Sequence, residues 1–236
     1  MNEKSKKAKK KVPLWAQVIA ILLIGVLTSC AVWLIGRDQK MERHNVTFAY
    51  GDGTVIEKKE VKDGQGVFPP ILKLENTVFR GWSSPINYVT QDIEVHPSLY
   101  TIVEDNLFYI DAAYVKEGKK LKLPLMLGGQ VNVSSGELTV EYDPEVLTLN
   151  KAENNNVCKA NTTASGVLTI TFSSEEILTQ TTQLTTLEFY AKKKDVYATE
   201  IVLSGTKVTV VVNGKEKPAD FATINNKVYF LQEVSK

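Results

Sequence analysis

Residues 137–147 read Glu-Leu-Thr-Val-Glu-Tyr-Asp-Pro-Glu-Val-Leu, and this stretch predicts the fold of the larger part of the chain. Polar and apolar residues alternate over 137–142, which is the period of a strand with one buried face and one face in solvent. The following Asp143-Pro144 predicts a turn, because the Asp side chain can accept hydrogen bonds from nearby backbone amides. The stretch therefore indicates a half-buried strand that ends in a turn.

Similar runs of Val, Ile, Leu, Thr, Tyr and Phe recur around it, between clusters of Gly, Pro, Asn and Asp. About nine strands at this spacing, between residues 107 and 232, are typical of a β-sandwich. The predicted strands include 107–115, 121–127, 137–142, 166–172, 184–191, 200–203, 207–212 and 227–231. The fold class is therefore mainly β.

A smaller module is predicted at 45–103, before a short linker. It opens with Val46-Thr47-Phe48, turns at Gly51-Asp52-Gly53, and contains Phe79-Arg80-Gly81-Trp82 with a later Asp92-Ile93. This order resembles the Listeria–Bacteroides repeat, a β-grasp-like module of bacterial surface proteins. The resemblance implies a spacer or interaction unit without catalytic residues. We expect Trp82 to fill the small core of this module.

The first 44 residues predict attachment to a membrane. Residues 1–11 contain six lysines and form a predicted cytoplasmic tail, and the uncharged run 12–36 is long enough for a transmembrane signal anchor. Residues 37–44 would be a linker, and the rest would lie outside a Gram-positive-type cell. The alternative is a lipid anchor, since Leu27-Thr28-Ser29-Cys30 resembles the lipobox of bacterial lipoproteins and would place the lipid on Cys30.

Charge and side-chain chemistry exclude several functions. The chain has 28 basic and 27 acidic residues, of which six lysines and Glu3 lie in the tail. The rest of the chain therefore has 22 basic and 26 acidic residues, a net charge of about −4. This charge argues against nucleic-acid binding, which needs a basic face. The two histidines, His44 and His96, have no neighbouring triad residues, and there is no zinc-type cluster or phosphate loop. The sequence therefore predicts no catalytic residues, no bound metal and no enzyme activity.

The region 107–232 resembles the cohesin module of cellulosome scaffoldins. Four features occur in the order that the family shows. Gly118 precedes the strand that ends near Pro124, and Tyr142-Asp143-Pro144 is followed by Val146-Leu147. The strand 166–172 and the element Leu184-x-x-Leu187-x-Phe189 come after them. It implies a jelly-roll β-sandwich that binds dockerins, which are small calcium-stabilised helical modules carried by enzymes. The calcium is expected in the partner, and this chain needs no cofactor.

The same resemblance implies a binding face on two strands. Ser135 and Glu137 fall where many cohesins carry Asn and Asp residues that hydrogen-bond dockerin. The predicted face comprises Ser135, Glu137, Thr139 and Glu141 on one strand and Val167, Thr169, Thr171 and Ser173 on the other. The function implied is a monomeric cell-surface anchor for dockerin-bearing proteins, which include polysaccharide-degrading enzymes. Two alternatives stay open: an adhesion or carbohydrate-binding protein, and a structural subunit of a surface complex.

Overall fold

The computed structural model of the chain describes residues 13–39, 42–72, 74–102, 106–129, 132–153, 157–192 and 195–231. It separates into two compact units, one ending at Glu42 and the other beginning at Arg43. The first contains helix α1 (Leu14–Gln39), and the second contains all the strands described below.

Helix α1 forms over the uncharged run, where Leu, Ile and Ala favour helix. The structure does not support the prediction that this helix spans a membrane: none of the helices among the described residues is both long and apolar enough to do so. The predicted basic tail at 1–11 lies outside the described residues.

The part of the second unit that precedes the sandwich consists of two small sheets. Its strands are β1 (Arg43–Ala49), β2 (Val55–Lys62), β3 (Thr77–Trp82), β4 (Ile93–Val95) and β5 (Pro97–Thr101). One sheet has the order β2-β1-β4, with β1 and β4 parallel, and the other pairs β3 with β5. Trp82 is 8% exposed and meets Phe48 edge-on at 4.7 Å, so the prediction that it fills this core is confirmed. The described residues of this part contain no helix.

The larger part is a β-sandwich, which confirms the predicted fold class. One sheet has the order β10-β13-β8-β6-β16, and the other has the order β11-β12-β9-β14-β17-β7 with β15 paired to β14. The strands are β6 (Leu107–Tyr109), β7 (Ala113–Lys116), β8 (Lys120–Gly128), β9 (Val133–Tyr142), β10 (Leu147–Ala152), β11 (Cys158–Ala164), β12 (Val167–Leu178), β13 (Thr182–Ala191), β14 (Ala198–Val212), β15 (Lys215–Ala219), β16 (Ala222–Ile224) and β17 (Asn226–Leu231). A single large core lies between the two sheets.

Several strand boundaries differ from the sequence prediction. The predicted strand 107–115 is two strands, because the chain crosses from one sheet to the other at 110–112, so that β6 pairs with β8 while β7 pairs with β17. The two predicted strands 200–203 and 207–212 are one strand, β14, whose pairing with β9 is interrupted between Ser204 and Lys207. Four further strands, β10, β11, β15 and β16, were not predicted.

The small sheets and the sandwich share buried contacts within the second unit. The Nδ2 of Asn226, on β17, donates to the carbonyl oxygens of Phe79 at 2.8 Å and Ile110 at 3.0 Å. The backbone N–H of Phe79 donates to an Asp111 carboxylate oxygen at 2.8 Å. A small apolar cluster also joins residues from both sides, namely Val78, Ile102, Leu107 and Tyr109. The boundary predicted at 103–107 stays a prediction, with residues 103–105 outside the described chain.

Candidate functional site

Strands β9 and β12 place all eight residues of the predicted face side by side. The strands are antiparallel neighbours, and each predicted residue on one lies directly opposite a predicted residue on the other. The pairs are Glu141 with Val167, Thr139 with Thr169, Glu137 with Thr171, and Ser135 with Ser173. Directly opposed residues project from the same side of a sheet, so the eight side chains form one continuous surface.

The alternating residues of the same strands point into the sandwich core. Leu138 and Val140 on β9 are fully buried, as are Leu168 and Ile170 on β12. Burial of one side-chain set fixes the register, because a slip by one residue would exchange the two faces. The hydrophobic pattern of these two strands therefore decides which residues face outward.

Strands β11 and β14 extend this surface on both sides. On β14, Val202, Ser204, Lys207 and Thr209 lie opposite the predicted residues of β9. On β11, Lys159 lies opposite Thr171 and Asn161 lies opposite Thr169. We call the outward side chains of β11, β12, β9 and β14 the outer face.

The sequence interpretation missed the contributions of β11 and β14. Strand β11 reads Cys-Lys-Ala-Asn-Thr-Thr-Ala, which has too few large apolar residues to be recognised as a strand. On β14, Gly205 has a φ of 61° in the irregular stretch beside Ser204. That irregularity shifts Lys207 onto the outer face, and simple alternation from Val202 does not predict it.

Polar contacts hold the side chains of the outer face. The Nζ of Lys207 lies 3.6 Å from Oε1 of Glu137. The hydroxyl of Ser204 donates to Oε1 of Glu141 at 3.1 Å. Both carboxylates therefore have a partner on β14, so this part of the face combines positive charge, negative charge and hydroxyl groups.

A glycine under the outer face allows close packing of the core. Gly136 on β9 lies opposite Phe172 on β12, and a Cβ at Gly136 would sit 2.4 Å from Cζ of Phe172. The aromatic ring therefore occupies the space that a side chain would need. Gly136 keeps β9 and β12 paired directly beneath Glu137 and Thr171.

The Tyr-Asp-Pro element closes the end of the β9–β12 pair. The N–H of Tyr142 donates to the carbonyl oxygen of Gly166 at 2.9 Å, and an Asp143 carboxylate oxygen accepts from the N–H of Glu145 at 2.8 Å. Gly166 has a φ of 79°, and a Cβ there would lie 2.7 Å from the carbonyl oxygen of Tyr142. The prediction that Asp143 serves a turn is confirmed, and the element sets the register of the outer face.

The described part of the chain contains no group of three or more side chains suited to hold a metal ion. His44 pairs with Asp63 at 2.9 Å, and Nδ1 of His96 contacts the carbonyl oxygen of Ala49 at 3.0 Å. The thiol of Cys158 is buried, and burial raises its pKa to about 11, which keeps it protonated and unreactive at neutral pH. Neither the histidines nor this cysteine forms part of a catalytic arrangement.

Comparison with known proteins assigns the sandwich to a family. The family model for the cohesin domain matches residues 108–229, more than half of the 236 residues. Two solved structures illustrate the likeness. The seventh type I cohesin of ScaB from Pseudobacteroides cellulosolvens has a TM-score of 0.51 at 10% identity, over 56% of this chain and 96% of that one. The sixth cohesin of scaffoldin B from Acetivibrio cellulolyticus has a TM-score of 0.48 at 18% identity, over 53% and 99%.

The comparisons also limit what is shown. No curated protein sequence matches the chain. At 10% identity the Pseudobacteroides cellulosolvens structure supports the fold alone. No similarity supports the predicted Listeria–Bacteroides repeat at 45–103. The family match is with a non-catalytic binding module, in agreement with the expectation that the chain is not an enzyme. From residue 108 to residue 229, the chain belongs to the cohesin family.

Proposed function

We propose that the outer face binds a dockerin module of a partner protein. The observation that carries this proposal is the register of β9 and β12, which joins the eight predicted residues into one surface of a cohesin-family sandwich. Relatives support it: cohesins of Acetivibrio cellulolyticus and Clostridium thermocellum were solved in complex with dockerins. The partner is therefore a protein that carries a dockerin, a class that includes polysaccharide-degrading enzymes.

The chemistry of the outer face describes the partner surface it would accept. Its centre consists of Thr139, Thr169, Thr171 and Ser204, with the Glu137–Lys207 pair beside them. Hydroxyl groups both donate and accept hydrogen bonds, and an ion pair offers one donor and one acceptor. A partner helix with polar and charged side chains fits this surface better than an apolar helix.

We propose further that the chain holds its partner at the outer surface of the cell. The support comes from the sequence before residue 40, where six lysines precede an uncharged run that contains Cys30. The chain would be attached to the membrane either by that uncharged run or by a lipid on Cys30. Fractionation of cells that express the unaltered chain or the Cys30→Ala variant distinguishes the two. Loss of the chain from the membrane fraction in the variant would assign the attachment to the lipid.

The test is capture of dockerins by the full-length chain. The immobilised protein is exposed to purified dockerins encoded by the same organism, with calcium or with a chelator. Because dockerin is expected to need calcium for its own fold, we expect capture with calcium and loss of capture with the chelator. Absence of capture by every dockerin tested would refute the proposed function.

A matched pair of substitutions locates the binding surface. Glu137→Gln removes a carboxylate from the outer face, where it pairs with Lys207. Glu60→Gln removes a similarly exposed carboxylate paired with Arg43, on β2 of the small sheets. We expect the first change to weaken capture about thirtyfold and the second to leave it unchanged. Equal effects would place the binding surface elsewhere.

A further inference from the structure

Strand β14 contains one extra residue where it pairs with β9. Ser204 lies opposite Thr139 and Lys207 lies opposite Glu137, so two residues of β14 between these pairs face one residue of β9. This arrangement is a β-bulge, which re-aims the side chains that follow it. Regular pairing would have placed Thr206 opposite Glu137. The bulge therefore puts an ammonium group on the outer face where regular pairing would put a hydroxyl.

Burial of the next residue fixes this arrangement. Val208 is 4% exposed and lies in the sandwich core, whereas the side chain of Lys207 is 83% exposed. Without the extra residue these two side chains would exchange faces, and the burial of an ammonium group is costly in free energy. The hydroxyl of Thr206 instead donates to the carbonyl oxygen of Phe221 at 3.2 Å. Lys207 is therefore a fixed part of the outer face.

A second lysine lies on the same row across the outer face. Lys159 on β11 lies opposite Thr171 on β12, which lies opposite Glu137 on β9. Glu137 in turn lies opposite Lys207 on β14, so the row crosses four strands. Neighbouring strands are about 4.8 Å apart, which separates the backbones of the two lysines by about 14 Å. We call these four residues the lysine row, in which two ammonium groups and one carboxylate leave one positive charge in excess.

The other carboxylate that the structure describes on the outward side of β9 and β12 is too far away to neutralise this row. Glu141 lies four residues from Glu137 along β9, which is about 13 Å at about 3.4 Å per residue. The Debye length at physiological ionic strength is about 8 Å, so exposed charges at that separation are largely screened from each other. The row between them is uncharged and consists of Asn161, Thr169, Thr139 and Ser204.

We propose that the lysine row selects dockerins that present an acidic side chain to it and discriminates against those that present a basic one. This inference rests on the proposed function, because it assigns a preference to the same face. The Nζ of Lys207 is 3.6 Å from Oε1 of Glu137, which is too long for a hydrogen bond, so this contact leaves the ammonium donors available.

Both attraction and repulsion contribute to the selection. A partner carboxylate would receive hydrogen bonds from the lysines and balance the excess charge of the row, whereas a partner lysine or arginine would meet two like charges. The carboxylate of Glu137 remains an acceptor for neutral donors of the same partner, such as hydroxyl or amide groups.

Charge reversal in the full-length chain tests this preference. The dissociation constant of each purified dockerin that the unaltered chain captures is measured by calorimetry, for the unaltered chain and for the double variant Lys159→Glu with Lys207→Glu. We expect the double variant to bind about a hundredfold more weakly, because two attractive contacts become repulsive. Added salt should weaken binding by the unaltered chain and strengthen binding by the variant, because salt screens attraction and repulsion alike.

A matched control reverses two exposed lysines of the other sheet. Lys122→Glu with Lys151→Glu, on β8 and β10, makes the same change in net charge and should leave binding unchanged. The neutral double variant Lys159→Gln with Lys207→Gln adds no negative charge to the outer face and should weaken binding about tenfold.

The outcomes separate this inference from the proposed function. Binding by the charge-reversed variant that equals or exceeds that of the unaltered chain, or an equal loss in the control, would overturn the preference for acidic partners and leave dockerin binding intact. Absence of capture of every dockerin by the unaltered chain would overturn both.

Discussion

Lys207 and Glu137 form an ion pair across β14 and β9 on the outer face, with Nζ 3.6 Å from Oε1. Both side chains are exposed, at 83% and 42%. An exposed ion pair of this kind contributes about 0–1 kcal/mol to stability. The pair therefore matters for what the outer face can bind more than for the stability of the sandwich.

Glu137→Gln should accordingly leave the fold almost unchanged. We expect the free energy of unfolding, measured by urea titration, to change by less than about 1 kcal/mol. The same variant should still weaken dockerin capture about thirtyfold, which would assign that effect to the surface and not to the fold. A destabilisation of several kcal/mol would instead show that Glu137 has a structural role that the ion pair does not account for.

Gly136→Ala should destabilise the sandwich through its contact with Phe172. The new Cβ would lie 2.4 Å from Cζ of Phe172 and 3.0 Å from the carbonyl oxygen of Lys207. Overpacking of this kind costs about 1–3 kcal/mol, as measured by the urea midpoint. Gly51→Ala is the control, because a Cβ there meets nothing within 4 Å.

The double variant Gly136→Ala with Phe172→Leu completes this test. If the ring is the source of the clash, the two changes should cost less together than the sum of their separate costs. Strictly additive costs would show that the Gly136 backbone, and not the aromatic ring, sets the requirement for glycine.

Asn226→Ala should loosen the contact between the small sheets and the sandwich. The amide of Asn226 satisfies the carbonyl oxygens of Phe79 and Ile110, and its removal leaves the buried Ile110 oxygen without that bond. We expect a loss of about 2 kcal/mol and faster hydrogen exchange in β3. Asn150→Ala, which removes only a 3.4 Å contact with Glu188, is the control. Unchanged exchange in β3 would show that Asn226 does not couple the two parts.

Stability should fall at alkaline pH partly because of Cys158. Its pKa is raised by burial from 9.0 to about 11. Below pH 9 the thiol is protonated in both the folded and unfolded states, so it has no effect. Between pH 9 and 11 the unfolded thiol loses its proton while the folded thiol keeps it, so rising pH favours unfolding. Cys158→Ala should reduce the slope of stability against pH in this window, and an unchanged slope would contradict the assignment.

The sequence predicted the centre of the outer face better than its margins. Residues 137–142 of β9 and 168–173 of β12 alternate strictly between polar and apolar side chains. Because the apolar set must face the core, the polar set must face outward. The margins depend on features that alternation does not show. Strand β11 is rich in Asn and Thr, and β15 reads Lys-Glu-Lys-Pro-Ala, which resembles a polar loop. Pairing with β12 and β14 makes these segments strands.

Two other features depended on tertiary structure. The sequence predicts one strand over 107–115, which contains both Phe108 and Val115. Their segments pair in different sheets, which only the closure of the sandwich decides. The contacts among Tyr114, Tyr197 and Tyr229 also depend on tertiary structure, since these residues are far apart in the chain and their rings meet only in the folded unit.

The central claim is that the outer face binds dockerin, and one measurement tests it most directly. The dissociation constant of a captured dockerin is measured by calorimetry for the full-length chain, for Thr169→Arg and for Thr148→Arg. Thr169 lies opposite Thr139 in the middle of the outer face, whereas Thr148 is an exposed threonine on β10 of the other sheet. We predict that Thr169→Arg weakens binding by about a hundredfold or more, because the arginine blocks close approach, while Thr148→Arg binds like the unaltered chain. Equal binding by all three proteins, or a loss confined to Thr148→Arg, would contradict the account.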